Sequence, residues 1–97
     1  MFGYAKEKSA NRVASERLIG KMKSSWIRES FIVSPDSQRV AYVVLLGDKQ
    51  LVVVDGKEGQ QYDGLVRGGR IIFDSADRLH YLARKGDDIY LVEERIQ

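Results

Sequence analysis

Phe31-Ile-Val-Ser-Pro-Asp-Ser-Gln-Arg-Val-Ala-Tyr-Val-Val-Leu-Leu-Gly-Asp-Lys-Gln-Leu-Val-Val-Val-Asp-Gly56 is the stretch whose reading decides the fold. It resolves into three strands and two tight turns. Ser34-Pro35-Asp36-Ser37 has turn chemistry: proline presets φ, and the Ser and Asp side chains bond nearby backbone amides. Residues 40–46 are apolar at every position, and so are residues 51–54. A strand with one wet face alternates apolar and polar residues. These runs do not alternate, so both of their faces are expected to be covered. Gly47-Asp48-Lys49 between them is a short hairpin loop. Asp55-Gly56 ends the third strand and opens another turn.

The same order of events recurs in weaker form from residue 71 to residue 96. Ile71-Ile72-Phe73 reads as a strand, and Asp74-Ser75-Ala76-Asp77 as a turn without the proline. Residues 79–83 are the middle strand, Lys85-Gly86-Asp87-Asp88 the loop, and residues 89–92 the third strand. The spacing of roughly 40 residues is that of propeller blades. Phe31-x-x-Ser-Pro-Asp-Ser-x-Arg-Val-Ala-Tyr-Val43, then Leu51-Val-Val-Val-Asp-Gly-Lys-Glu-Gly59, then Gln61-Tyr62-Asp63-Gly64, resembles the bacterial WD-repeat-like (TolB-like) β-propeller repeats. The resemblance spans about residues 27–96. It implies four-stranded antiparallel blades and no particular activity, because that fold hosts many functions. Closed propellers hold four to eight blades; this chain has sequence for about two.

The expected architecture is therefore all-β: two propeller-like antiparallel blades with an N-terminal helix or arm. Residues 1–25 form the arm, residues 26–64 the first blade and residues 65–97 a second, incomplete blade. In the arm, Ala10, Ala14, Leu18 and Met22 recur every four residues with Val13 and Ile19 beside them, which predicts a helix over residues 9–23. Ser9 can cap its start and Lys21 and Lys23 suit its end. Gly20 opposes it by about 1 kcal/mol. Met1 to Ala5 read as a frayed start or a short strand. Strict alternation in residues 26–33 sets Ile27, Phe31 and Val33 on one face and Trp26, Ser30 and Ile32 on the other. Lys57-Glu58-Gly59 reads as a turn, Gln60-Gln61-Tyr62 as a short outer strand, and Gly68-Gly69 as a joint between blades. The second blade lacks a fourth strand, which the N-terminal segment or another chain is expected to supply. Glu93-Glu94-Arg95 carries charges that discourage edge pairing.

The chain has 97 residues, enough for one domain, with 43% apolar residues and a net charge of +2. Residues 1–28 carry seven cations against two acids, so the remainder is net negative. The arm can meet an acidic surface. Without cysteine there are no disulfides and no thiolate metal sites. No apolar run reaches membrane-span length and no signal-peptide pattern is present, so no membrane partner and a cytoplasmic location are expected.

No catalytic constellation stands out. His80 sits mid-strand among apolar neighbours, without a nucleophile elbow. The aspartates occupy turn positions and form no Asp-x-Asp-x-Asp-Gly loop. The glycines form no phosphate loop, since Gly68-Gly69-Arg70 precedes a strand. No cofactor or metal is expected. Two small sheets covering one face of each other leave two apolar outer faces, and large exposed apolar patches mark interaction sites. The expected function is a non-enzymatic, self-associating protein-interaction scaffold, a homo-oligomer with Trp26, Val44, Leu46, Val53, Tyr90 and Val92 at the association surface. The alternative is nucleic-acid binding through the arm, with Arg12, Arg17, Lys21 and Lys23 as the anion-binding residues.

Overall fold

A computed structural model describes residues 12–65 and 70–97. Among the described residues the chain is all-β, in two antiparallel sheets. The first sheet is a meander, β1 (Trp26–Val33), β2 (Val40–Leu46), β3 (Lys49–Val54) and β4 (Lys57–Glu58), each strand beside the next. The second holds β5 (Gly64–Leu65), β6 (Ile72–Ser75), β7 (Arg78–Lys85) and β8 (Asp88–Arg95). β8 pairs with β7 along its whole length. β5 pairs with Gly64 opposite Arg84, and β6 with Ile72 opposite His80. A strand has two edges, so β5 and β6 share the remaining edge of β7, and the sheet is three strands wide.

The hairpins follow from their turn residues. Leu46 faces Lys49 across Gly47-Asp48, and Lys85 faces Asp88 across Gly86-Asp87. In each case only the leading glycine has positive φ, 63° and 57°, the sign pattern of a type II′ turn. Asp55 and Gly56 are both positive, at 51° and 84°, which is the pattern of type I′. Both types match the twist of the strands they join. The Ser-Pro-Asp-Ser turn closes as its chemistry predicts. The Ser34 hydroxyl donates to Asp36 Oδ1 at 2.6 Å and accepts the Arg39 N–H at 3.0 Å. Ser75 makes the corresponding bond to Asp77 at 2.9 Å.

Residues 41–44 of β2 and 51–54 of β3 are buried on both faces, as their apolar runs require, whereas Leu45 and Leu46 at the end of the β2 run are exposed. Ala41, Val43, Val52 and Val54 pack against Ile71, Leu79, Tyr81 and Ala83 of the second sheet, forming the inter-sheet core. Tyr42, Val44, Leu51 and Val53 form a smaller core on the opposite face, with Trp26 against it.

Strict alternation misplaces β1. Ile27 pairs with Val43 but Ile32 pairs with Ala41, so the register shifts between them. The bulge inverts the alternation. Ile27 and Ile32 both pack on the inter-sheet core, whereas Trp26 and Phe31 both pack on Tyr42, with ring centroids 6.0 and 6.1 Å away. Ser30 fills the bulge: its hydroxyl accepts the Val43 N–H at 2.7 Å and donates to the Ile27 carbonyl.

The described part of the arm does not form the expected helix. Residues 12–22 run without regular secondary structure, and residues 9–11 lie outside the described residues, as do Met1 to Ala5 and the Gly68-Gly69 joint. A short helix draws its stability mainly from packing an amphipathic face, and Val13, Leu18 and Met22 are exposed. Tertiary contacts hold the segment in an irregular path instead. The Tyr42 hydroxyl accepts the Lys23 N–H at 3.1 Å and donates to the Lys21 carbonyl at 3.4 Å. Gly20 lies so close to the Asp55-Gly56 turn that an added Cβ would stand 2.9 Å from the Asp55 carbonyl oxygen.

The outer strand of the first sheet also differs from expectation. It begins at β4 and returns to β3 at Tyr62, which exchanges backbone bonds with Gln50 at 2.8 Å. Asp63 follows and ties the two sheets together. Its carboxylate pairs with Lys49 and accepts the Gly86 N–H at 2.6 Å, while its own N–H donates to the Arg84 carbonyl.

Candidate association surface

The two outer faces end differently. On the first sheet, Trp26, Phe31 and the docked arm lie over Tyr42. Val44 and Val53, in the same core, are 4% and 0% exposed. The expected association surface must lose both residues, which lie with Tyr42 and Leu51 in the smaller core. Trp26 is half-buried over the same core. Leu46 overhangs the end of β2 and is exposed.

The second sheet has no such cover among the described residues. Pairing of Leu82 with Leu91, Arg84 with Ile89 and His80 with Ile72 sets these side chains on the face turned away from the core. Ile89 and Leu91 are 65% and 60% exposed, and Ile72 and Leu82 are also exposed. Val92 and Tyr90 lie on the opposite, inner face of β8. Val92 packs against the inter-sheet core. Tyr90 is exposed at its rim, where the Lys85 ammonium stands 5.3 and 5.7 Å from the Tyr62 and Tyr90 ring centroids. Sequence reasoning missed Ile72, Leu82, Ile89 and Leu91. The signal was present, since β8 is apolar at four successive positions, but which side of the sheet is sheltered follows only from the way the sheets stack.

The far edge of β8 is open among the described residues. Ile96 N–H donates to the Asp77 carbonyl, on the β7 side, at 2.7 Å. In an antiparallel ladder the backbone groups alternate in direction. Even-numbered residues of β8 thus face β7, and the N–H and C=O groups of Ile89, Leu91, Glu93 and Arg95 face outward. Beside this edge lies an open groove of about 350 Å³ between β8 and residues 59–62. At its floor the Tyr81 hydroxyl donates to Glu94. Burial, then the neighbouring Glu94 carboxylate, pushes the Tyr81 phenol far up from its ordinary value, so it stays a neutral donor.

The other candidate residues fall apart spatially. His80 Nδ1 meets Asp74 Oδ2 at 2.7 Å, but the neighbouring Ser75 hydroxyl is turned to Asp77. Among the described residues no group of three His, Cys, Asp or Glu side chains could hold a metal ion. In the arm, Arg17 donates to the Gln38 side-chain oxygen at 2.7 Å and to its carbonyl at 3.3 Å. Arg12 and Lys21 are exposed and Lys23 is half-buried. No helix among the described residues is long and apolar enough to cross a membrane. Comparison with family models, curated proteins and solved structures gives no match for the chain.

Proposed function

We propose that this protein is a non-enzymatic, self-associating module of two propeller-like blades that acts as a protein-interaction scaffold. One observation carries the reading: the open edge of β8 and the exposed Leu82, Ile89 and Leu91 lie on the same sheet. An unpaired strand edge next to apolar side chains is the usual template for chain-to-chain pairing. The blade assignment draws on the simple meander order of the first sheet and the three-strand width of the second. A cytoplasmic location belongs to this reading as well.

Docking, rather than nucleic-acid binding, is the role proposed for the arm. Its backbone is spent on Tyr42 and its Arg17 on Gln38. Sedimentation velocity at micromolar to hundred-micromolar concentration tests the proposal. A concentration-dependent shift above the monomer mass is expected, and a single monomeric species throughout would overturn it. Salt-sensitive retention of a DNA or RNA duplex, lost on removing the arm's cations, would favour the nucleic-acid alternative.

A further inference from the structure

We infer that the partner on the second sheet is another copy of this chain, and that the two β8 strands pair antiparallel about a two-fold axis at Leu91. This rests on the self-association proposed above and specifies its geometry.

Residues directly opposite in an antiparallel pair point to the same face. A two-fold axis through such a pair therefore passes through one residue, and each residue meets a partner of like parity. The outward backbone groups of β8 belong to Ile89, Leu91, Glu93 and Arg95, so any such register joins these groups to each other. The length of the strand, Asp88–Arg95, leaves two centred registers, on Leu91 or on Val92.

Side-chain chemistry separates the two. With the axis at Leu91, Leu91 faces the partner's Leu91 and Tyr90 faces the partner's Val92, on both sides of the axis. Three consecutive apolar pairs then occupy the centre. Leu82 lies beside Leu91 across β7, so the exposed apolar row becomes continuous over both subunits. Asp87 of each turn comes beside the partner's Arg95, an opposite-charge pair made twice. The same register sets Ile89 opposite the partner's Glu93, and it opposes Asp88 to the partner's Glu94. That repulsion is lessened because Glu94 is turned inward and bonded by the Tyr81 hydroxyl. With the axis at Val92, Leu91 faces the partner's Glu93, Tyr90 faces the partner's Glu94 and Ile89 faces the partner's Arg95. Only the axial pair is then apolar. Cross-strand apolar and opposite-charge pairs are what stabilise a sheet, so the Leu91 register is favoured.

The chain has no cysteine, which makes crosslinking a direct reading of the register. Only the residue on the axis meets its own copy within disulfide reach, a Cα separation of about 4.4–6.8 Å. Under mild oxidation Leu91→Cys is expected to give a covalent dimer, while Val92→Cys and Ile89→Cys stay uncrosslinked. Asp87→Arg and Arg95→Asp, separately, are expected to weaken the dimer in sedimentation, and the two together to restore it. Far-UV circular dichroism checks that each variant keeps its sheets. Crosslinking of Val92→Cys rather than Leu91→Cys, or a charge-swapped pair that does not recover, overturns the register while leaving self-association intact. A native chain that stays monomeric overturns both. So does a monomer whose outward β8 amides resist hydrogen exchange, because an intramolecular segment would then hold the edge.

Discussion

Replacing Gly20 by Ala separates a docked, irregular arm from a helical one, because only a helix gains stability from it. In a helix interior the substitution stabilises by about 1 kcal/mol. In the observed arm the new Cβ would stand 2.9 Å from the Asp55 carbonyl oxygen, 3.0 Å from its carbon and 3.1 Å from the Gly56 Cα. All three are backbone atoms of a tight turn whose Asp55 also holds Arg39 at 3.0 Å and the Val40 N–H at 3.0 Å. The turn cannot yield cheaply, so the arm must lift. Overpacking of this kind costs about 1–3 kcal/mol, against about 0.4–1 kcal/mol recovered because alanine restricts the unfolded chain. The net expectation lies between about zero and a loss of about 2.6 kcal/mol. For a domain of this size each kcal/mol moves the melting temperature by roughly 4–8 °C. Urea denaturation of the native and Gly20→Ala proteins, followed by Trp26 fluorescence, measures the difference. A Gly20→Ala protein more stable than the native one, by the roughly 1 kcal/mol that a helix interior would give, would refute the docked arm.

Three further perturbations probe the same contacts and their neighbours. Tyr42→Phe removes the hydroxyl that serves both Lys21 and Lys23, so about 1–2 kcal/mol is lost and trypsin is expected to cut faster after those lysines; unchanged cleavage would contradict the docking. Ser30→Ala strands the buried Val43 N–H in the β1 bulge, at a cost of about 1–3 kcal/mol. Its amide should exchange faster, and a neutral substitution would show that the bulge closes by another bond. Gly86 N–H, then Lys49, holds the Asp63 carboxyl below its ordinary value of 3.8. A depressed folded value means the stabilisation is present above pH 3.8 and is lost as pH falls through the lower, folded value. The loss of urea midpoint between pH 7 and pH 3 should therefore shrink in Asp63→Asn; equal losses in the two proteins would remove Asp63 from the account.

Much of the architecture was legible along the chain because its causes are local. Apolar runs without alternation announced strands buried on both faces, and residues 41–44 and 51–54 are so buried, while Leu45 and Leu46 are not. Gly47 and Gly86 marked hairpins whose turns need positive φ. Ser34 and Asp36 close their own loop. The proline, the glycines and the branched side chains impose these features through atoms a few residues apart. The arm misled because its four-residue recurrence is real but has no surface to pack on. Its geometry is set by Tyr42 and by Asp55, far away in sequence. Alternation failed in β1 for a similar reason, since the bulge at Ser30 exists only by virtue of the strand opposite.

The association surface divides along the same line. Hydrophobicity alone told that β2, β3 and β8 needed shelter, without telling which faces already had it. Stacking of the sheets half-buries Val92, Val44 and Val53 lie in the smaller core against which Trp26 packs, and Ile89 and Leu91 are left in water. Exposure is a property of where distant segments come to rest, so the folded chain alone distinguishes a core valine from a contact leucine.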